Sequence, residues 1–354
     1  MSGVRRRWTV AVVAAIAVLG AACSGGGGDG SRSDEDVVGR GESVLQFEGA
    51  AKLRMGGTLA MPDRPRSGPV AGVLIVPSLD RNDRNGAIDV VPGDPIYQDL
   101  SKAVTAAGMA AFRYDRRGMG TSKLDPGGQL SFDDMVTDAR EALGFLSQRS
   151  GVDGSNLAVV GHDLGGIIAM RVAAGDNRVK SVVLLSTPGR PLVDVMADNF
   201  AAAYGPESAE AFRAVIATLL STGSLPDRAT MRPEHQTLLP VGQDALLKAE
   251  YSLDPVAEAA KVKVPALVVT GSQSTAVSAV DADRLRAALA GAQVVTADTT
   301  ATLQHVTAAL PQAFDPNDHR AHGGGRPPDT ATRDQGALDR ISGFLGSKAV
   351  APRQ

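Results

Sequence analysis

The residue best placed to do chemistry is an aspartate at the end of an apolar run. Asp163 follows residues 157–160 and stands between Gly161 and Gly165, in the pattern G-x-nucleophile-x-G. In this pattern a strand turns sharply into a helix, and the middle side chain is held above the sheet edge. The two glycines suit a strained turn in which backbones approach closely. The segment therefore predicts a strand, a nucleophile elbow and a helix.

An aspartate at an elbow favours a different electrophile from the usual serine. A serine attacks an ester carbonyl and forms an acyl-enzyme. A carboxylate attacking the same carbonyl would form an anhydride, which is a high-energy intermediate. Displacement at a saturated carbon instead gives an alkyl-enzyme ester, which a histidine-activated water can cleave. Asp163 thus predicts covalent chemistry at saturated carbon.

The elements that must position Asp163 alternate along the chain. Continuous aliphatic runs are typical of strands that are buried on both faces, and helical periods separate them. An earlier pair of alternating runs, at residues 43–47 and 53–61, predicts antiparallel strands at one edge. Together they predict an α/β fold with a mostly parallel, doubly wound sheet. The predicted core strands are 70–76, 109–114, 156–161, 179–185, 266–270 and 293–297, and the predicted helices are 96–107, 132–148, 281–290 and 335–345.

The pattern changes between two of these core strands. Residues 188–262 are mostly helical in pattern and interrupt the alternation of strands and helices. We interpret them as a helical cap inserted over the sheet. The core is then predicted in two pieces, residues 44–187 and 263–348.

The N-terminal residues predict an exported lipoprotein. Three arginines at positions 5–7 precede a short apolar stretch, residues 8–19, and small residues then lead to Cys23. This is typical of a signal peptide, residues 1–22, and too short for a spanning helix. Lipidation of Cys23 would anchor the protein on the extracytoplasmic face of the cell membrane, with residues 23–43 as a flexible tether. A plain secretory signal with a chance cysteine is the alternative.

Composition excludes several classes of function. Of the 354 residues, 43% are hydrophobic and 21% charged, which is ordinary for a globular protein with one sizeable core. A net charge of −3 gives no reason to expect nucleic acid as a partner. We expect no cofactor, because no phosphate-binding or dinucleotide fingerprint is present. We expect no metal, because polar loop composition explains His319 and His322 near their acidic neighbours.

Four motifs in order resemble the α/β-hydrolase family over residues 44–346. Residues 115–122 look like that family's D-x-R-G-x-G-x-S loop, and residues 161–165 look like its elbow. Residues 264–271 look like the strand that leads to its catalytic acid, and His305 stands where its histidine is expected. The nearest subgroup is the bacterial esterase and serine-aminopeptidase-like hydrolases. The resemblance implies the fold and a small-molecule substrate without naming that substrate.

The resemblance also implies the other members of the site. His305 would act as the base, and the backbone N–H groups of Leu79 and Leu164 would form the oxyanion hole. The acid departs from the family pattern, because no carboxylate follows Gly271 until Asp281. Asp298 or Asp194 could supply it from another loop, although each also fits a solvated loop carboxylate. His162 is interpreted as structural, and His235 as a loop or cap residue.

The elbow Gly-His-Asp-Leu-Gly resembles that of haloalkane dehalogenases and epoxide hydrolases. Leu164 stands where dehalogenases usually have tryptophan, and the only tryptophan is Trp8 in the leader, which argues against dehalogenation. Epoxide hydrolases use cap tyrosines to protonate the leaving oxygen, and Tyr204 and Tyr251 lie in or beside the predicted cap. Two functions remain open. One is a hydrolase of ester- or epoxide-type substrates, and the other is a catalytically silent hydrolase fold with a binding or structural role.

Overall fold

The sheet is the framework of the molecule. The computed structural model describes residues 36–39, 41–63, 68–79, 83–86, 96–125, 127–272, 274, 277–297 and 334–349. The described strands form one nine-stranded sheet in the order β1-β2-β3-β5-β4-β6-β7-β8-β9. They are β1 (Asp36–Gly39), β2 (Glu42–Glu48), β3 (Arg54–Ala60), β4 (Val70–Val76), β5 (Ala110–Tyr114), β6 (Val152–His162), β7 (Val179–Leu185), β8 (Ala266–Gly271) and β9 (Gln293–Ala297).

Helices cover both faces of this sheet and build the cap. The described helices of the core are α1 (Ile96–Ala106), α2 (Phe132–Ser147), α3 (Leu164–Gly175), α9 (Ala279–Ala288) and α10 (Gln335–Ala349). Those between β7 and β8 are α4 (Leu192–Tyr204), α5 (Pro206–Thr222), α6 (Pro233–Leu238), α7 (Asp244–Tyr251) and α8 (Pro255–Ala259). The inserted helical cap thus lies where the sequence predicts it. The Ser131 side chain caps the N-terminus of helix α2, since it accepts a hydrogen bond from the Asp134 N–H.

The order of the strands creates a crevice at the middle of the sheet. Strands β1, β2, β3 and β5 pair antiparallel, and β5, β4, β6, β7, β8 and β9 pair parallel. The chain runs outward from β4 to β5 and then returns to place β6 on the other side of β4. In open α/β sheets ligands bind at such a switch point, outside the carboxyl ends of the strands. The carboxyl end of β4 leads into the loop that contains Leu79, called here the oxyanion loop, and the carboxyl end of β6 leads into the elbow.

Alternate residues of the parallel strands pack into two separate hydrophobic cores. On one face Val73, Val160 and Val183 pack with α1 and α10. On the other face Leu74, Val159 and Val182 pack with α2 and α3, and this core continues into the cap. All six of these side chains are at most 1% exposed. Burial on both faces explains why the strands read as continuous aliphatic runs.

The sheet begins earlier in the chain than the sequence predicts. Strand β1 and the first residues of β2 lie inside residues 23–43, which the sequence analysis assigns to the tether. Asp36 pairs with Val44 and Val37 with Ser43, which extends the antiparallel edge by one short strand. Pairing between strands depends on a partner elsewhere in the chain, so a four-residue strand leaves little periodicity of its own to read.

Among the described residues, no helix is both long enough and apolar enough to cross a membrane. The predicted signal peptide and Cys23 lie outside the described residues.

Candidate active site

Asp163 occupies a strained turn between β6 and α3. Its backbone has φ 54° and ψ −129°, a conformation that residues other than glycine rarely adopt. Its N–H donates to the Leu185 carbonyl of β7 at 2.9 Å, and its carbonyl accepts from the Gly166 N–H at 2.8 Å. The residue is 6% exposed, so it lies beneath the surface. Such strain persists where the surroundings enforce it, as at a nucleophile elbow.

Two glycines allow the backbones around this turn to meet. A Cβ atom on Gly161 would lie 2.4 Å from the Gly165 carbonyl oxygen. A Cβ atom on Gly165 would lie 2.2 Å from the carbonyl oxygen of Pro77, in the loop that follows β4. Neither approach is open to a larger residue. The glycines of the elbow therefore place the start of α3 directly against the predicted oxyanion loop.

The two predicted oxyanion donors follow the carboxyl ends of two neighbouring strands, β4 and β6. Leu164 is the first residue of α3, where the N–H groups of a helix have no partner within the helix. Leu79 lies three residues beyond β4, and β4 pairs with β6 up to the Val76–Gly161 pair. The helix N-terminus adds a partial positive charge on this side of Asp163. The arrangement suits a developing negative charge next to the elbow.

A buried tyrosine links the residues that precede Leu79 and Asp163. The Tyr97 hydroxyl accepts a hydrogen bond from the Ser78 N–H at 2.8 Å and lies 3.0 Å from Nδ1 of His162. Ser78, Tyr97 and His162 are at most 1% exposed. Sequence reasoning treated His162 as structural and overlooked Tyr97, because the two residues are separated by 65 positions.

The D-x-R-G-x-G-x-S loop, residues 115–122, holds Arg84 in the loop that follows β4. The Asp115 carboxylate accepts from the N–H of Arg84 at 2.8 Å, its guanidinium at 2.9 Å and the N–H and hydroxyl of Thr121, both at 2.8 Å. Gly120 has φ 50°, and a Cβ atom there would lie 2.3 Å from that carboxyl group. The motif thus supports the loop after β4, with its carboxylate committed to these contacts.

Asp281, the first carboxylate after Gly271, is committed to structure. Its side chain is fully buried and accepts from the Gly189 N–H and from Nε and Nη2 of Arg190, each at 3.1 Å. It also completes the cap at the start of α9, since it accepts from the Ser278 N–H at 3.0 Å. These bonds hold the segment that leads from β7 into the cap. The buried, fully bonded carboxylate of Asp281 is poorly suited to orient a histidine.

The remaining predicted site residues fall in two places. Asp194 lies in the first turn of α4, where its half-exposed carboxylate pairs with Arg213 of α5. A role as the catalytic acid would require Asp194 to leave that partner. His305 and Asp298 lie outside the described residues, so their roles stay predictions. Among the described residues, no group of three potential ligands is arranged to hold a metal ion.

Two hydroxyls at the same edge of the sheet were not singled out from the sequence. Ser186 follows β7 beside the elbow and has φ 42°, a second strained residue next to Asp163. Thr270 lies near the end of β8, the next strand. Both hydroxyls are buried and have no hydrogen-bond partner among the described residues. Neither has a local sequence signal, because their positions depend on neighbouring strands.

The cap contributes aromatic residues and one buried histidine. Tyr204 ends α4 and Tyr251 ends α7, and burial raises the pKa of both phenols. His235, which the sequence assigned to a loop or the cap, lies in α6 of the cap and is fully buried. Its Nε2 lies 3.1 Å from the Ser208 hydroxyl, and that hydroxyl donates to Glu234 at 2.7 Å. We assign His235 to the packing of the cap.

The sheet, its switch point, the elbow and the inserted cap define a protein of the α/β-hydrolase fold. The sequence pattern of the family described as serine aminopeptidase, S33 (Hydrolase_4) matches residues 95–308, more than half of the chain. The chain belongs to that family. The match includes the elbow and the position of His305.

Solved structures share the fold at low sequence identity. The alpha/beta hydrolase GrgF from Penicillium sp. sh18 superposes with a TM-score of 0.54 and 17% identity, over 87% of this chain and 99% of that chain. Est1E from Butyrivibrio proteoclasticus superposes with a TM-score of 0.53 and 13% identity, over 87% and 99%. At these identities the likeness shows the fold alone.

Curated relatives match shorter stretches. The chain is 24% identical over 155 residues to polyketide transferase claH of Penicillium crustosum, which covers 44% of this chain and 46% of that protein. It is 32% identical over 92 residues to thiohydrolase apmlB of Arthrinium phaeospermum, which covers 26% and 30%. The chain thus spans less than half of the length of these relatives.

Proposed function

We propose that this protein is a hydrolase of a small organic substrate that uses Asp163 as a covalent nucleophile and His305 as the base. The observation that carries the proposal is the strained backbone of Asp163 at the elbow (φ 54°). Strain of this kind costs about 1–3 kcal/mol and is retained where it positions a functional side chain. An epoxide is the substrate type that fits a carboxylate nucleophile best.

In the first step the Asp163 carboxylate attacks a saturated carbon of the substrate. An oxygen of Asp163 forms a bond to that carbon, and the bond from the carbon to the epoxide oxygen breaks with its electron pair. The freed oxygen takes a proton from an acid in the cap, for which Tyr204 and Tyr251 are the candidates. A phenol is protonated at neutral pH with its ordinary pKa of about 10, and burial raises the pKa of both tyrosines further. The product of this step is an ester between Asp163 and the substrate.

In the second step water cleaves that ester. His305 removes a proton from water, which attacks the carboxyl carbon of Asp163 and places a negative charge on its oxygen. The N–H groups of Leu79 and Leu164 would stabilise this oxyanion. The intermediate collapses, and the released alkoxide takes the remaining proton of the attacking water to complete the diol, which restores the Asp163 carboxylate with one oxygen from water. The proton on His305 returns through water to the cap tyrosine.

The relatives suggest a second substrate class. One curated relative is named a thiohydrolase and another a polyketide transferase. A thioester or ester substrate would require Asp163 either to form an anhydride or to activate water without a covalent bond. Short esters and thioesters therefore belong beside epoxides in a test of turnover.

A catalytically silent fold is the alternative function. It is favoured by the commitment of Asp281 to Arg190 and Gly189, which leaves the family's usual position for the acid without a carboxylate that can serve. Losing the acid typically lowers kcat by about 10⁴-fold in a hydrolytic triad. Such a protein would keep the elbow as a relic of its fold.

The test is a single turnover in water enriched in the heavy oxygen isotope, with an epoxide, an ester and a thioester as probes. Under the proposed mechanism the first product carries an oxygen from Asp163, and the peptide that contains Asp163 gains the heavy isotope. Mass spectrometry of product and peptide measures both. His305→Ala should accumulate the covalent ester on Asp163, and Asp163→Asn should abolish turnover.

Three results would contradict the proposal. Turnover that survives in Asp163→Asn would put the nucleophile elsewhere. Heavy oxygen that enters the product directly in the first turnover would make Asp163 a base for water. Absence of turnover with every probe, together with weak esterase activity in Asp163→Ser, would favour the silent fold.

We further propose that Cys23 is lipidated and anchors the protein on the extracytoplasmic face of the cell membrane. The support is the sequence alone: three arginines, a short apolar stretch and the only cysteine of the chain at the processing point. The rest of the chain requires no internal disulfide, since a single cysteine cannot form one.

A further inference from the structure

We propose that Tyr97 is a positioning residue that couples the oxyanion loop to the elbow through one hydroxyl group. The inference rests on the proposed function, because it assigns roles to Leu79 and Asp163. It adds a residue that touches neither the substrate nor the reacting atoms. What Tyr97 sets is the position of the Leu79 N–H relative to the Asp163 carboxylate.

The contacts of the hydroxyl are specific and fully buried. Tyr97 is the second residue of α1, and its ring meets the His162 ring edge to face, with centroids 5.8 Å apart. Its oxygen lies 2.8 Å from the Ser78 nitrogen and 3.0 Å from Nδ1 of His162. Ser78 directly precedes Leu79, and His162 directly precedes Asp163. One oxygen atom thus contacts the neighbour of each proposed functional group.

The direction of the bond from Ser78 follows from its donor. A backbone N–H can only donate, so the hydroxyl oxygen accepts the bond from Ser78. The second contact joins the same hydroxyl to Nδ1 of His162, and the tautomer of that ring sets which of the two atoms is the donor. Two bonds in series connect the loop after β4 to the strand that bears the nucleophile. Neither bond competes with water, because all three residues are buried.

The bond from Ser78 to Tyr97 supports the loop just after it leaves the sheet. Beyond Val76 the ladder between β4 and β6 has ended. Further along the loop, Arg84 is attached through Asp115, and the side chain of Asn85 accepts from Arg113 at 3.1 Å. The bond from Ser78 to Tyr97 lies between the end of the ladder at Val76 and the attachment at Arg84, immediately before Leu79. Its loss should free the Leu79 backbone while the rest of the loop stays attached.

Tyr97→Phe removes the hydroxyl and keeps the ring in place. We expect hydrogen exchange of the Ser78 amide to accelerate at least about tenfold, because its acceptor is gone, with the amides of β4 unchanged. With a substrate that turns over, we expect kcat to fall about 10–100-fold and KM to change little, since only transition-state stabilisation is lost. Tyr114→Phe removes the hydroxyl of another buried tyrosine in a neighbouring strand and serves as the matched control.

The outcomes separate this inference from the proposed function. Unchanged exchange at Ser78 in Tyr97→Phe would overturn the coupling, whether or not the protein has measurable activity. Faster exchange without any fall in kcat, in a protein that Asp163→Asn inactivates, would leave Tyr97 a purely structural residue and overturn its positioning role. Turnover that survives in Asp163→Asn would instead overturn the proposed function, and the exchange measurement would then decide the coupling alone. A fall in kcat that Tyr114→Phe reproduces would also contradict the inference.

Discussion

At the scale of the residue, the backbone of Asp163 carries a cost that the surrounding structure must offset. Its φ of 54° would suit glycine, yet an acidic residue occupies the position. The hydrogen bonds to Leu185 and Gly166 and the packing of Gly161 and Gly165 leave the turn little freedom. A site that holds strain for function is expected to gain stability when the functional side chain is removed.

The strain predicts an unusual order of stability for two variants of Asp163. Asp163→Gly should have a free energy of unfolding about 1–3 kcal/mol higher than Asp163→Ala, since glycine adopts this backbone without a steric penalty. Both variants lose the carboxylate equally, so their difference isolates the backbone. Urea denaturation of the two proteins measures it. Equal stability, or a more stable alanine variant, would show that the turn is relaxed.

At the scale of the element, the cap is held by a cluster centred on His235. The ring contacts Phe200 of α4 and Phe212 of α5 at centroid distances of 4.6 and 5.4 Å. Because the Ser208 hydroxyl donates to Glu234, Nε2 of His235 must donate to Ser208. The buried Nδ1 has no hydrogen-bond partner in the described part of the chain. A second proton on this ring would be buried without an acceptor.

The cluster predicts a loss of stability in acid. Burial lowers the pKa of His235, against the opposing charge of Glu234 and together with the charge of Arg232. In the unfolded chain the histidine takes up a proton below about pH 6.5. The unfolded state then binds more protons than the folded state, so the free energy of unfolding should fall as the pH drops below that value and level off below the lowered pKa.

His235→Gln provides the comparison, because its amide can still donate to Ser208 but does not titrate in this range. We expect the decline between about pH 6.5 and the lowered pKa to shrink in the variant, as measured by thermal unfolding across pH. Identical pH profiles for the two proteins would assign the decline to other groups. The signal should be strongest in probes of the cap, since the described contacts of the His235 side chain are with cap helices.

At the scale of the whole molecule, the proposed lipid anchor predicts where the protein is found. Cys23→Ser should move it from the membrane fraction to the soluble fraction, because a serine cannot be lipidated at the processing point. Fractionation with an antibody against the chain, and metabolic labelling with a fatty acid, measure the two effects. The proposed anchor would be contradicted if the unaltered protein took up no fatty-acid label and still stayed in the membrane fraction. Ser24→Ala, a change at the residue after Cys23, is a suitable matched control.

The fold of the whole molecule could be predicted further than its site. Strands such as β4 and β7 are buried on both faces, and their aliphatic runs show this directly in the sequence. The elbow could be predicted because glycine is needed at positions 161 and 165, where neighbouring backbones approach closely. Strand β1 was wrongly included in the tether, because a short edge strand depends on its partner rather than on its own pattern.

The contacts that define the site had no comparable signal. Tyr97 meets His162 across 65 positions, and Asp281 meets Arg190 across 91. Both pairs are brought together by the order of the strands, which local periodicity does not contain. The turn at Asp163 could be predicted from the sequence, and the neighbours that hold it could not.

The attachment of Asp281 to Gly189 and Arg190 has a mechanical consequence. It fastens the first connection into the cap to the start of α9, and a Cβ atom on Gly189 would lie 2.1 Å from the Asp281 carbonyl oxygen. That end of the cap cannot slide over the sheet without breaking buried bonds to a carboxylate. Any motion of the cap that admits a substrate is therefore expected to leave this connection in place and to occur in the helices that follow it.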